Sequence, residues 1–213
     1  MLTLFDYPAS QNAWKVRLLL SHLGLAYQTV SISIFEGEGR SPAYKKINPV
    51  GKVPAIRLED GRVLAESNAI LTYLADGTKY LPADPFARGK VHQWLSYEQE
   101  QVEMTIGTLR YWTMTDKLGK RSQETIAAKR MAALRSLGIL EDELSQRPFI
   151  AGDDYTIADM AIFAYGSRAE EAGLSLEMFP NFRAWIARVQ MQEGFLATVY
   201  AYSMDPHSAR ELE

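Results

Sequence analysis

The sequence predicts an α/β half up to about residue 77 and an all-α half beyond it. Three observations carry that expectation. Up to Gly77, short apolar runs bounded by Gly, Pro and Asp alternate with helical periods. A proline-rich stretch, Tyr80-Leu81-Pro82-Ala83-Asp84-Pro85, then reads as a linker. Beyond it every apolar period is helical. The expected division is 1–77 for the α/β domain, 78–87 for the linker and 88–213 for the helical domain. A chain of 213 residues suits one large or two small domains.

The elements follow in order. Leu2-Thr3-Leu4-Phe5-Asp6-Tyr7 reads as a strand and Pro8 to Asn12 as a turn. Ala13 to Leu23 reads as a helix, with Val16, Leu19, Leu20 and Leu23 on one face and Gly24 as its stop. Ala55-Ile56-Arg57-Leu58 and Arg62-Val63-Leu64-Ala65 flank Asp60-Gly61, a strong hairpin signal. Ser67 is a natural N-cap for a helix that ends near Asp76-Gly77. In the second half, Arg88 to Thr113 has no proline and carries Val91, Trp94 and Leu95 on one side. Ser122 to Ser145 carries Ala127, Met131, Leu134, Leu137, Leu140 and Leu144, a stripe of core type. Thr156 and Asp159 form a capping box, with Tyr155 and Met160 at the staple positions. Pro180 opens a last helix with Phe182, Trp185, Ile186 and Val189 inward.

Three places in the first half can carry chemistry. Ser10 sits where a strand's C-terminal end meets a helix N-terminus, a favoured ligand location in open α/β sheets. A hydroxyl there can donate to a thiolate, which the helix end also favours; a plain cap or turn serine is the simpler reading. Val53-Pro54 opens a strand, and proline, lacking an N–H, fits a strand start or an edge. Spacing alone favours an ordinary trans bond. A cis bond would turn the Val53 N–H and C=O outward, where an extended peptide could pair with them. Ser67 opens a helix whose free N–H groups suit a ligand carboxylate, and Glu66 beside it suits an ammonium. Together these charges describe an α-amino acid end; a cap with a solvated Glu is the simpler reading.

Composition excludes several classes. The balance of 23 basic and 26 acidic side chains, with no basic patch, argues against nucleic acid. No run of eighteen apolar residues spans a membrane, and the start lacks the basic region of a signal peptide, so a cytoplasmic protein is expected. There are no cysteines, so no enzyme thiol can attack a disulfide. His22, His92 and His207 are too far apart in sequence to suggest a metal site, and none is expected.

The runs Asn48-Pro49-Val50-Gly51-Lys52-Val53-Pro54-Ala55-Ile56 and Glu66-Ser67-Asn68-Ala69-Ile70-Leu71 closely resemble the glutathione-binding motifs of the glutathione transferase family. The order of elements resembles the thioredoxin-like half of such a protein. Asp153 to Ala161 and Phe179 to Trp185 resemble family segments in the helical half, so the resemblance covers nearly the whole chain. It implies a thioredoxin-like N-terminal domain, a helical C-terminal domain that contributes the electrophile site, and a detoxifying glutathione transferase.

Aligned on the following proline, the catalytic tyrosine of some classes would fall at Asp6. Tyr7 would then point to the opposite face of the strand. Ser10 aligns with the serine of the theta-, zeta- and nu-like classes and is the preferred thiolate activator, with Asn12 as a second donor. Ser10 to Arg17 also resembles the zeta-class signature, which has a second serine and a cysteine where Gln11 and Asn12 stand. That departure weakens a maleylacetoacetate-type isomerase reading. The asparagine at Asn12 matches the nu-like classes and points to hydroperoxides or glutathione disulfide.

The resemblance further implies that Val53, shaped by Pro54, binds the cysteinyl backbone of glutathione. Glu66 and Ser67 would hold its γ-glutamyl end, and Lys52, with Arg40 as a second candidate, its glycine carboxylate. Met104, Tyr111, Trp112 and Tyr165 would line the site for a small hydrophobic electrophile. Glutathione is the cosubstrate. A homodimer is expected, with Glu98, Gln101 or Glu103 as candidates to enter a neighbouring subunit's site. A non-catalytic interaction module of the same fold is the alternative of another class.

Overall fold

Leu4, Val16, Leu20, Ile56 and Ile70 are fully buried against one another and tie the first strands and helices together. Each such side chain contributes roughly 1.5–3 kcal/mol by leaving water. The computed structural model describes residues 1–212. It divides into one unit of Met1–Leu74 with the segment from Gly194 onward, and a second unit of Ala75–Glu193.

In the first unit, β1 (Leu2–Asp6) leads into α1 (Gln11–His22) and then β2 (Tyr27–Ser31). The two strands pair in parallel, Leu4 opposite Thr29, as a helical crossover requires. After a short helix α2 (Pro42–Lys45) come β3 (Ala55–Arg57) and β4 (Val63–Ala65), joined by the expected hairpin. Gly61, with φ 88°, makes that turn. The sheet order is β2-β1-β3-β4, with β3 antiparallel to β1 and Ile56 opposite Leu4. Helix α3 (Ser67–Ala75) follows directly. Helix α1 starts two residues earlier than the apolar period suggests, because Ser10 caps it through the Ala13 N–H.

The segment from Gly194 onward was expected with the helical half, but it packs on the first unit. The Gly194 carbonyl accepts from Ser21, and Phe195 meets Trp14 edge-on at 6.0 Å. Tyr202 meets Phe35 edge-on at 6.1 Å, and the Tyr7 hydroxyl donates to Asp205 at 3.0 Å. His207 lies 3.2 Å from Glu36.

The second unit is helical. Helix α4 (Pro85–Tyr97), capped by Asp84, runs on into a wider π-helical stretch, Glu98–Gly107, and then α5 (Thr108–Met114). Helix α6 (Gln123–Leu144), capped by Ser122, packs on that stretch and on α8 (Pro180–Gln190). Leu137, Leu140 and Leu144 are buried as expected, but Ala127, Met131 and Leu134 are exposed. Ile126 and Ala133 turn inward instead. The capping box of α7 (Ile157–Gly166) forms as expected. Asp159, wholly buried, accepts from the Thr156 and Ile150 N–H groups and from the Trp185 indole, each at 2.9 Å. Among the described residues, no helix is long and apolar enough to cross a membrane.

Candidate functional site

The turn from β1 to α1 holds Ser10 at a helix N-terminus. Its N–H donates to the Tyr7 carbonyl at 2.9 Å, and its Oγ accepts from Ala13 at 3.2 Å. That cap uses a lone pair and leaves the hydroxyl hydrogen free to donate outward. Ser10 is half-buried, so it remains reachable.

The loop before β3 presents Val53. Asn48, almost wholly buried, donates to the Lys52 carbonyl at 2.7 Å and accepts from the Val50 N–H at 3.1 Å. The Tyr44 hydroxyl donates to the same Lys52 carbonyl at 2.8 Å. Gly51 has φ 75° and lies against Gly39, where a Cβ on either would strike backbone. The Val53–Pro54 bond is cis, where spacing alone favoured trans. The Val53 N–H and C=O have no hydrogen-bond partner among the described residues. Lys52 is exposed, and its ammonium has no ion-pair partner among them. Arg40 is exposed too, on a polar cavity that it shares with Phe35, Glu36, Arg210 and Glu211.

Helix α3 begins one residue earlier than expected. The Glu66 carbonyl accepts from Ile70 at 2.9 Å, so Glu66, not Ser67, occupies the capping position. Glu66 has φ 67°, uncommon for a side chain of its size. Its carboxylate is exposed and without a partner among the described residues. Ser67 is buried, and its hydroxyl donates to the Asn12 side-chain oxygen at 3.2 Å. That bond sets the N-termini of α1 and α3 side by side, so Ser10, Asn12, Glu66 and Ser67 share one region. Two free helix ends there can take two negative groups of one ligand.

Tyr7 is otherwise engaged. Burial, with Asp205 beside it, pushes its hydroxyl well above the usual phenol range. Of the residues proposed for an electrophile, Met104 is exposed and Tyr111 and Trp112 are half-buried. Tyr165 is buried against Gly107, its hydroxyl 3.5 Å from Glu103. Glu98, a candidate for a neighbouring subunit's site, is wholly buried.

Sequence reasoning missed the groups beneath these residues. Arg17 donates to both Asp6 oxygens at 2.6 Å and to the Pro8 carbonyl at 2.8 Å. Lys15, fully buried, donates to Asn68 at 3.2 Å. The one available signal was two cations, Lys15 and Arg17, on different faces of a helix whose neighbouring residues are mostly apolar.

Residues 9–76 match the family profile described as Glutathione S-transferase, N-terminal domain. Residues 97–193 match Glutathione S-transferase, C-terminal domain. Glutathione S-transferase theta-2 of Mus musculus is 32% identical over 191 residues, covering 85% of this chain and 77% of that protein. The crystal structure of a glutathione S-transferase from Pseudomonas fluorescens is 35% identical, with a TM-score of 0.89 over 92% of this chain and 97% of that one. That of a glutathione transferase from Pseudomonas putida, with one glutathione disulfide bound per subunit, is 26% identical. Its TM-score is 0.79 over 91% of this chain and 88% of that one.

Proposed function

The chain belongs to the glutathione S-transferase family, and we propose that it binds glutathione and presents the thiolate to electrophilic small molecules or hydroperoxides. The observation that carries this reading is the Asn12–Ser67 bond, which joins the helix end for a thiolate to the helix end for an amino-acid carboxylate. The Val53 backbone pairs with the cysteinyl unit, as an added strand would. Glu66 takes the γ-glutamyl ammonium, and Ser67 with the α3 N-terminus takes its carboxylate. Lys52 and Arg40 meet the glycine carboxylate.

Chemistry then needs only a stable thiolate. A free thiol is mostly protonated at neutral pH. Lowering its pKa by about two units takes roughly 2.7 kcal/mol. One hydrogen bond to a charged group supplies roughly 1.5–3 kcal/mol, so the Ser10 hydroxyl is sufficient in size. The helix end and Asn12 add to it. No protein cysteine takes part, because the chain has none. Met104, Tyr111, Trp112 and Tyr165 are the proposed contacts for the second substrate, and the active species is a homodimer.

A second reading is glutathione-dependent disulfide reduction. The glutathione disulfide in the Pseudomonas putida relative and Asn12 in this chain favour it. There the bound thiolate attacks one sulfur of a disulfide and releases the other as a thiolate.

The test is the ultraviolet absorbance of the thiolate, titrated against pH at saturating glutathione. Ser10→Ala should raise the midpoint by about one to two units, while Tyr7→Phe leaves it in place. A midpoint moved by Tyr7→Phe alone would transfer the role to the tyrosine. No glutathione binding at millimolar ligand in calorimetry would point instead to an interaction module. A panel of chlorodinitrobenzene, cumene hydroperoxide, glutathione disulfide and maleylacetone separates the reactions.

A further inference from the structure

We infer that Arg17 is the positioning residue of the thiolate site, holding the corner that aims the Ser10 hydroxyl. The inference rests on Ser10 as the thiolate donor. Arg17 lies on α1 below the cap, and three hydrogen bonds fix its guanidinium. Two go to Asp6, the last residue of β1, and the third to the Pro8 carbonyl inside the turn. The side chains of Arg17 and Asp6 are 10% and 5% exposed. Only Tyr7, Pro8 and Ala9 lie between Asp6 and Ser10, and the Ser10 N–H is bound to the Tyr7 carbonyl. One planar group therefore spans strand end, turn and helix, and sets the angle at which α1 leaves the sheet.

The chemistry explains why an arginine stands here. A buried ion pair is a poor source of stability compared with well-packed apolar residues of similar volume. What it supplies is fixed geometry, because the guanidinium presents several donors in one rigid plane. The pair is also neutral overall, so it adds little net field at the sulfur. Its effect on the thiolate must pass through where Ser10 points. Lysine at position 17 would keep the charge and could still reach Asp6. A single ammonium does not reproduce the planar fork that also reaches the Pro8 carbonyl.

The experiment compares the thiolate titration midpoint, with bound glutathione, in wild type and in Arg17→Lys, Arg17→Met, Ser10→Ala and Ser10→Ala/Arg17→Lys. Leu20→Ala, a core truncation in the same helix, controls for lost stability. Arg17→Lys should raise the midpoint by about half to one unit, a threefold to tenfold loss of thiolate near neutral pH. Turnover should fall in step, with the KM for glutathione within about twofold of wild type, because the peptide contacts lie elsewhere. In the Ser10→Ala background the lysine should add no further shift.

Four results would overturn the inference alone. Arg17→Lys could leave the midpoint in place while Arg17→Met moves it, which would make the charge the active feature. Neither could move it. Leu20→Ala could move it equally. Or the two substitutions could add in full. If Arg17→Lys shifts the midpoint and Ser10→Ala does not, the serine reading fails and takes the inference with it. If only Ser10→Ala shifts it, the serine reading stands and the inference alone fails.

Discussion

At the scale of single residues, Glu66 is under the greatest conflict. A left-handed backbone costs a non-glycine residue roughly 1–2 kcal/mol, and here an exposed acid occupies it beside a helix N-terminus. Stability alone would favour glycine. Glu66→Gly and Glu66→Ala should each lose about 1–3 kcal/mol of glutathione affinity, since each leaves the ligand ammonium without its partner. Denaturant unfolding should find the Gly variant about 1 kcal/mol more stable than the Ala variant, which keeps the strained backbone. Equal stabilities would remove the strain argument, and unchanged affinities would displace the γ-glutamyl end. Ser10 was legible as a cap, and the start of α3 to within one residue, because helix starts announce themselves within four residues of sequence. That Glu66 takes the capping position was not, because its left-handed conformation has no signature in a glutamate.

At the scale of elements, the start of α7 hangs on Asp159. Its carboxylate serves two backbone donors, the Thr156 hydroxyl and the Trp185 indole, so it joins the loop at Ile150, the cap of α7 and helix α8. Asp159→Ala would take the acceptor from four buried donors and should cost about 3–5 kcal/mol, read as a lower unfolding midpoint. Asp159→Asn keeps one acceptor oxygen and should cost less. Burial pushes the Asp159 carboxyl up from the ordinary aspartate range. A folded pKa above the unfolded one means that the fold binds the proton more tightly. Its contribution is therefore fullest in acid and declines as pH rises from about 4. The stability gap between wild type and the Asn variant should narrow over that window, and a gap that widens would contradict the direction. The capping box was readable because its partners stand three residues apart. The stripe on α6 was half misread, since periodicity finds an apolar face but not which part of it a neighbour covers. Met131 and Leu134 are left 60% and 43% exposed.

For the whole molecule, two expectations can be measured. Light scattering at micromolar concentration should give about twice the chain mass of 24.0 kDa, and a single-chain mass would contradict the dimer. A chain ending at Glu193 would lose Phe195 from Trp14, Tyr202 from Phe35 and Asp205 from Tyr7. The loss of the two aromatic side chains alone should cost about 3 kcal/mol or more, read as a lower denaturant midpoint of tryptophan fluorescence. An unchanged midpoint would mean that the segment adds nothing to the first unit. The fold class was legible because both halves write their periods locally. The destination of the last segment was not. The Tyr7–Asp205 bond spans 198 positions, and nothing near either residue marks its partner.

That long reach bears on the order in which the protein is made. A ribosome delivers residues 1–74 first, then the whole helical unit, and only afterwards the segment that covers Trp14, Tyr7 and Phe35. At roughly 5–20 residues per second, the early sheet waits several seconds with those rings uncovered. The helical unit, continuous in the chain, can close before the unit that precedes it. Of the two units, the one begun first is thus completed second, and during that wait it would present an apolar surface to chaperones.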